Sequence, residues 1–186
     1  MGIETNKLNR SFRAFIEKQK LFFVATAASD GRVNLSPKGL DSLKVINDNQ
    51  IVWLSVSGSG NETSAHILKN PRMTLMFCAF EGEPLILRVY GSTNVFYPRH
   101  DEWQDYVKLF PDYAGTRSIF QLEIEHVTTS CGTGVPEMAV VSGRAEKDLV
   151  PWFKELGAAK VEEFWAKKNV TSIDGFPTGI FEDVGN

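Results

Sequence analysis

The residues most suggestive of chemistry are small and polar, and they lie where an apolar strand-like run stops. Residues 52–56 are apolar and rich in β-formers, and residues 57–64 then read Ser-Gly-Ser-Gly-Asn-Glu-Thr-Ser before a helical pattern begins. A helix therefore starts directly after a strand ends. The first turn of a helix presents unpaired N–H groups and partial positive charge, here beside several hydroxyl and amide side chains. Such a turn suits an anion, most naturally a phosphate.

The start of this helix has two interpretations. Ser59 and Glu62 have capping-box spacing; in that case they only cap the helix, and the Glu62 carboxylate would repel a phosphate. With Asn61 as the N-cap and Thr63 at the second helical position, this conflict eases. The stretch is neither a dinucleotide fingerprint nor a Walker A loop, because no third glycine and no Gly-Lys-Ser/Thr follows its Gly-Ser-Gly.

Composition narrows the class of protein. A chain of 186 residues is expected to form one domain. A net charge of −3 gives no basic field, so we exclude nucleic acid as a partner. Cys78 and Cys131 form no Cys-x-x-Cys, which disfavours a disulfide framework and favours a reducing cytoplasm. No stretch approaches a membrane span and the N-terminal residues lack a signal-peptide core, so no membrane association is expected.

No set of catalytic side chains stands out. The three histidines have no pair at metal-ligand spacing, so no metal site is predicted. Cys131 lies in a glycine-flanked loop near His126, but no third orienting group accompanies them, and no Gly-x-Ser-x-Gly elbow exists. The catalytic residues stay unknown, and the polar turn points to a binding site.

Hydrophobic periodicity indicates a sheet with helices around it. Alternating or apolar runs predict strands, amphipathic spacing predicts helices, and turn residues such as Asp-Gly mark hairpins. Six or so strands, many joined by hairpins, make an α+β protein built on an antiparallel sheet or barrel. The predicted strands are 21–26, 33–36, 43–46, 51–56, 73–80, 85–96 and 118–128, and the predicted helices are 8–16, a short one after residue 60, 98–110 and 147–168, split at Gly157, before an irregular tail.

Cations on these strands add to the polar turn. Lys38 and Arg32 lie on one strand, and Arg88 points from another strand toward its more polar face. In the last long strand, simple alternation places His126 on the apolar face and Val127 on the polar face. Lysine and arginine near a turn of hydroxyls and amides favour a phosphorylated ligand.

Five segments together resemble a known family, the pyridoxamine 5′-phosphate oxidase-like, flavin-binding split-barrel proteins. The resemblance implies an α+β fold, an antiparallel six-stranded split β-barrel with flanking helices. It also implies one domain over residues 1–186, with the helical region of about 147–168 packed on the barrel, and a homodimer with flavin mononucleotide (FMN) at its interface. The segments are FFVATA at 22–27, GRVNLSPKG at 31–39, SGSGNETSAHILKNPRMTLMF at 57–77, ILRVYG at 86–91 and TSCGTGVP at 129–136.

The resemblance also assigns cofactor contacts residue by residue. Lys38 matches the lysine that closes the family's second-strand cofactor motif and resembles a phosphate contact. Ser55 falls where the oxidases have a polar residue before the turn, and Arg88 would supply charge near the family's glutamine position. The cofactor-binding residues implied in this way are Ser36, Pro37, Lys38, Ser55, Asn61, Thr63, Arg88 and Cys131.

One departure from the oxidases changes the expected function. Glu62 and Thr63 occupy the place of the Arg-Lys pair that holds the phosphate in true pyridoxamine phosphate oxidases. Asn61, Thr63 and backbone amides must then contribute more to the site. The oxidases' C-terminal substrate-binding pattern of Arg and His is also missing from residues 169–186, so oxidation of vitamin B6 itself is not expected.

The resemblance favours a flavin-dependent oxidoreductase that acts on a small molecule. The cofactor would carry the hydride chemistry, so no side-chain acid or base is required. The alternative is a binding or carrier module without turnover, for flavin, the deazaflavin coenzyme F420 or haem.

Overall fold

The computed structural model describes residues 2–183, in which one antiparallel sheet is flanked by helices. Its strands run in the order β3-β2-β6-β7-β8-β5-β4, and the short β1 pairs with β8. The strands are β1 Glu4–Thr5, β2 Phe22–Thr26, β3 Asn34–Lys38, β4 Leu43–Asn47, β5 Gln50–Val56, β6 Arg72–Cys78, β7 Leu85–Phe96 and β8 Thr116–Cys131. The helices are α1 Arg10–Lys18, α2 Glu62–Lys69, α3 Trp103–Val107, α4 Val150–Leu156 and α5 Ala158–Lys168, with a π-helical turn at Ala145–Leu149.

The predicted class, an antiparallel α+β fold with flanking helices, is confirmed. The strand count is eight within the described residues, against the six that the resemblance implies, because the seven strands predicted from the patterns are all present and the short β1 is added. The predicted helix over residues 98–110 is reduced to α3, with turns on either side of it. The predicted break at Gly157 is confirmed, since its φ of 80° ends α4 before α5 begins.

Stacked aromatic rings form the centre of the sheet's inner face. Trp53 on β5 stacks on Phe120 of β8 with ring centroids 4.3 Å apart, and Phe22 packs edge-on against Trp53. Both Trp53 and Phe120 are at most 1% exposed. Rings of this size bury a large apolar area, so they fix the spacing between β5, β8 and β2.

A β-bulge in β8 corrects the expected alternation of that strand. Tyr90 of β7 pairs with His126, but the next residue, Gly91, pairs with Ile124, so Glu125 is an extra residue. As a result Val127 is buried with Ile124, and His126 is exposed, which reverses the prediction for His126 and Val127. Gly91 is required there, because a Cβ would lie 1.9 Å from the Glu123 carbonyl oxygen.

The C-terminal segment returns to the sheet after α5. Residues 170–178 form a small hairpin, here called the tail hairpin, in which Thr171 pairs with Pro177 and the Thr178 N–H donates to the Val170 carbonyl. The helices that precede it contact the barrel, since Phe153 packs against Gly115. Among the described helices, none is long and apolar enough to cross a membrane.

Candidate functional site

A polar pocket lies where the ends of four elements meet. β3 and β5 end there, and α2 and β8 begin there, so backbone termini and polar side chains face one small space. The cavity is about 30 Å³, roughly the room for one water molecule. Its lining residues are Asn34, Ser36, Lys38, Ser55, Gly60, Asn61, Glu62, Thr63, Ser64, Arg117 and Phe120.

Lys38 reaches this pocket from the inner side of the edge strand β3. Alternation along β3 turns Asn34, Ser36 and Lys38 inward, while Leu35 and Pro37 face solvent. The Lys38 ammonium lies over the Trp53 ring, 5.6 Å from its centroid, and forms no ion pair with any residue from 2 to 183. Burial, with Arg117 nearby, lowers the pKa of Lys38 to about 8, against a smaller opposing effect of Glu62.

Arg117 holds the polar loop, residues 57–61, through hydrogen bonds to the loop carbonyls. Its side chain is buried at the start of β8, and its guanidinium donates to the carbonyls of Gly58 at 3.2 Å and Gly60 at 2.8 Å. A longer contact of 3.4 Å reaches the Ser55 hydroxyl. Burial lowers the pKa of Arg117 to about 10, so it remains a cation at neutral pH. Arg117 therefore fixes the loop and adds positive charge to the lining of the pocket.

Neutral groups of the pocket are partly paired and partly free. Asn34 donates to the hydroxyls of Thr26 and Thr63, each at 3.1 Å, which leaves the Thr63 hydroxyl hydrogen to point elsewhere. The buried Ser36 hydroxyl has no hydrogen-bond partner within the described chain. An unpaired buried hydroxyl is costly, and an anion would satisfy it.

The N-terminus of α2 decides between the two interpretations of the polar turn. Asn61 is the N-cap residue and Thr63 the second helical residue, so the capping box from Ser59 is wrong. The Glu62 carboxylate instead accepts from the N–H of Asn61 at 3.1 Å and from the N–H of Ile173 at 3.2 Å. The helix starts two residues later than a Ser59 cap requires, because the loop carbonyls are held by Arg117.

The C-terminal segment fixes the other side of the polar loop. Asn169, which is fully buried, donates to the Gly58 carbonyl at 2.9 Å, and the Trp165 indole N–H donates to the Ser57 hydroxyl at 2.6 Å. The Asn61 side-chain amide donates to the carbonyl of Thr171. The loop is thus held between Arg117 and residues that follow it by more than one hundred positions.

The structure brings together five of the eight residues that sequence reasoning proposed as cofactor contacts, namely Ser36, Lys38, Ser55, Asn61 and Thr63. Pro37 faces away from the pocket, as its position in β3 requires. Arg88 donates to the Ser130 hydroxyl at 3.0 Å on the outer face of the sheet, and Cys131 is exposed at the far end of β8. The assignment of Pro37, Arg88 and Cys131 as cofactor contacts stays a prediction that this pocket does not support.

Arg117 is the main residue that sequence reasoning missed. The last long strand was expected to begin at Ser118, which left Arg117 in a turn. A signal was present, since Arg117 lies two residues before the apolar pair Ile119 and Phe120 and continues the same strand. Asn34 was missed as well, although alternation along β3 places its side chain on the same inward face as Lys38.

The fold is an antiparallel split-barrel architecture with flanking helices, and comparison with known proteins gives the family. Residues 8–131 match the family model described as pyridoxamine 5′-phosphate oxidase, so the chain belongs to that family. It is 31% identical over 193 residues to the pyridoxamine 5′-phosphate oxidase family protein ustO of Aspergillus flavus, covering 95% of this chain and 78% of ustO.

Two solved structures share the fold. HupZ from Group A Streptococcus aligns with a TM-score of 0.52 at 17% identity, over 64% of this chain and 91% of HupZ. A candidate pyridoxamine 5′-phosphate oxidase from Lactobacillus delbrueckii aligns with a TM-score of 0.52 at 22% identity, over 66% of this chain and 94% of its own. At these identities the likeness extends to the fold alone.

Proposed function

We propose that the protein binds FMN, with the phosphate of the cofactor in the polar pocket. The observation that carries this proposal is Lys38, a largely buried cation without an ion pair among the described residues. A buried ammonium is costly unless an anion accompanies it, and its lowered pKa records that cost. A phosphate beside Lys38 would offset the burial and raise its pKa back toward the ordinary value.

The donor set of the pocket fits a phosphate monoester. Lys38 supplies a point charge, the unpaired Ser36 hydroxyl and the Thr63 hydroxyl supply neutral donors, and the first turn of α2 supplies backbone N–H groups. Arg117 adds charge without contact, because its donors already bind loop carbonyls. The cavity is too small for an isoalloxazine ring, so the ring would lie outside it, beyond the mouth of the pocket.

The proposed activity is a flavin-dependent oxidoreduction of a small molecule. When bound, the flavin supplies hydride transfer, and this chain's residues hold its phosphate and keep the polar loop rigid. Membership of the pyridoxamine 5′-phosphate oxidase family supports this class of activity. Residues 169–186 contain neither the arginine nor the histidine of the oxidases' C-terminal substrate-binding pattern, which supports a substrate other than pyridoxamine phosphate.

A homodimer is part of the proposal, because β3 presents apolar side chains on an edge strand. Val33, just before β3, is 76% exposed and Leu35 is 64% exposed. Exposed apolar residues on a sheet edge favour association with another chain. A second copy over this edge would cover a flavin ring emerging from the pocket. Sedimentation at micromolar concentration should give a dimer, and a monomer alone would contradict this part of the proposal.

Lys38→Ala tests the position of the phosphate. Lysine acts on the phosphate, which riboflavin lacks, so the substitution should weaken FMN about ten- to a hundredfold and leave riboflavin nearly unchanged. Fluorescence titration with both ligands measures the two affinities. Lys108→Ala is the matched control, because Lys108 is 66% exposed on the end of α3. An equal loss for both ligands in Lys38→Ala would refute the assignment.

Turnover is tested separately from binding. A purified protein with bound FMN should be yellow, and a reduced nicotinamide should bleach it if the flavin is redox-active. Colour without bleaching by any reductant of this type would support the alternative, a carrier module for flavin or deazaflavin. Mass spectrometry of the released ligand distinguishes FMN from a deazaflavin or a haem.

A further inference from the structure

Glu62 is the one carboxylate that lines the polar pocket, among the residues described. Its charge favours the protonated forms of both Lys38 and Arg117, so it lies within electrostatic reach of the two cations. Its oxygens also accept two backbone N–H groups, from Asn61 and Ile173. These are the same kinds of donors that a bound phosphate oxygen would use.

The space in the pocket adds a second constraint. The cavity of about 30 Å³ is small, and the Glu62 side chain occupies part of its lining beside Lys38, Thr63 and Arg117. Glu62 is the movable part of the lining, because Lys38 is packed on Trp53 and Arg117 is held by the loop carbonyls. A phosphate in the pocket and the Glu62 carboxylate would therefore compete for the same N–H donors and the same cations.

Glu62 is tied to the tip of the tail hairpin, and the tip is attached more weakly than the base. The base is buried, where Thr178 donates to the Asn169 carbonyl and the Tyr97 hydroxyl donates to the Thr178 carbonyl. The tip is exposed, with Ile173 at 69%. Apart from the Ile173 N–H on Glu62, the tip contacts the rest of the described chain through Asp174, which pairs with Arg32, and through the Phe176 ring, whose centroid lies 4.4 Å from the Lys69 ammonium.

The tip is held chiefly by Asp174. Its carboxylate accepts from the Arg32 N–H at 2.8 Å and forms an ion pair with the Arg32 guanidinium, which is 70% exposed. The tip also rests against Gly31, where a Cβ would lie 2.7 Å from an Asp174 oxygen. The Asp174 side chain is 9% exposed, but its partner Arg32 lies in solvent, so this contact holds the tip locally and its loss can free the tip while the base stays buried.

We propose that Glu62 is a resident counter-ion of the polar pocket, and that an incoming phosphate displaces its carboxylate and thereby releases the tip of the tail hairpin. This inference rests on the proposed phosphate site. Attachment of the tip through Glu62 and binding of a phosphate in the pocket are then mutually exclusive. The mouth of the pocket opens only when a ligand carries an anion, which selects FMN over riboflavin.

Hydrogen exchange with mass spectrometry tests the displacement, with FMN, riboflavin and inorganic phosphate as probes. FMN and inorganic phosphate should slow exchange in residues 57–64 and speed it in residues 172–176. Riboflavin should leave residues 172–176 unchanged. In Glu62→Ala the tip should exchange fast before any ligand is added, and FMN should cause no further increase there.

The outcomes separate this inference from the proposed function. Protection of residues 57–64 by FMN, with slower or unchanged exchange in the tip, would overturn the displacement and leave the phosphate site standing. No protection of residues 57–64 by FMN or inorganic phosphate would overturn both. Release of the tip by FMN but not by inorganic phosphate would also contradict the inference, because the anion alone should be sufficient.

A double-mutant cycle gives a second measurement. Asp174→Asn removes the anchor of the tip and should raise FMN affinity by at most about fivefold, with Asp30→Asn as the matched control on the neighbouring turn. Glu62→Gln should raise it roughly two- to fivefold. If the tip acts through Glu62, adding Asp174→Asn to Glu62→Gln should give no further gain. Fully additive effects would overturn the coupling.

Discussion

The two faces of the sheet carry cations that differ in burial and in their partners. In the polar pocket on the inner side, Lys38 is largely buried, has a pKa of about 8, and lacks an ion pair within the described chain. On the outer face, Arg88 is partly exposed and donates to the Ser130 hydroxyl. Both residues are strand cations near a turn in the sequence, but the structure separates them by burial. An anionic ligand stabilises a cation most where water does not solvate that cation. The inner face is therefore the better anion site.

The largest effect that tests this comparison is on stability. Arg117→Met removes the donors to the Gly58 and Gly60 carbonyls and should lower the free energy of unfolding by on the order of 3 kcal/mol. Arg88→Met removes one contact with a hydroxyl and should cost about 1 kcal/mol or less. Urea denaturation of both variants measures the difference. Equal losses would show that burial does not separate the two faces.

The pH dependence of stability gives the next effect. The pKa of Lys38 is about 8 in the folded state and 10.5 in the unfolded state, so between these values the unfolded chain binds more protons and stability rises with pH. The full rise would be roughly 3 kcal/mol, and below pH 8 it is lost. Urea midpoints of the ligand-free wild type and Lys38→Met, compared from pH 7 to 10, should show this relative gain. A constant difference between the two proteins would contradict the burial of Lys38.

Glu62→Gln has a smaller effect and tests how the inner face is neutralised. Removing the carboxylate charge should raise FMN affinity by about 0.3–1 kcal/mol, less at higher salt, and leave riboflavin unchanged. Titration of both ligands at two salt concentrations measures this, with Glu17→Gln on the exposed face of α1 as control. A parallel loss for both ligands would mean that Glu62 contacts the ribityl chain or the ring instead.

The smallest expected effect concerns the outer face. A hydrogen bond with Thr133 lowers the pKa of the exposed Cys131 thiol, whereas burial raises the pKa of Cys78. Iodoacetamide should therefore modify Cys131 first, as peptide mass spectrometry can show. FMN affinity should not change after this modification, because Cys131 and Arg117 lie at opposite ends of β8. A large loss of affinity would restore Cys131 as a cofactor contact.

Local patterns predicted most of the fold. The helix at α1, the β2–β3 hairpin and the alternation of β7 depend on periodicity and turn residues, which act over a few positions. The bulge at Glu125 did not follow from alternation, because an extra residue in β8 is set by its partner Gly91. Nothing in the spacing of β8 alone marks that position.

The site was predicted in part for the same reason. Lys38, Asn61 and Thr63 belong to short motifs, and the structure brings them to one pocket. Arg117, Asn169 and the contact of Glu62 with Ile173 depend on residues far apart in the chain, which only the fold brings together. The wrong capping box at Ser59 shows the limit of a local rule where distant groups hold the loop.

The contacts of Trp165 and Asn169 with the polar loop also set an order of events during synthesis. The loop and Lys38 leave the ribosome more than one hundred residues before Asn169, so the strands can pair while one wall of the pocket has not yet been made. A nascent chain should therefore hold a partly folded barrel with no competence for the cofactor. Binding of the proposed cofactor would then begin only after translation has passed α5, when Trp165 and Asn169 can contact the polar loop.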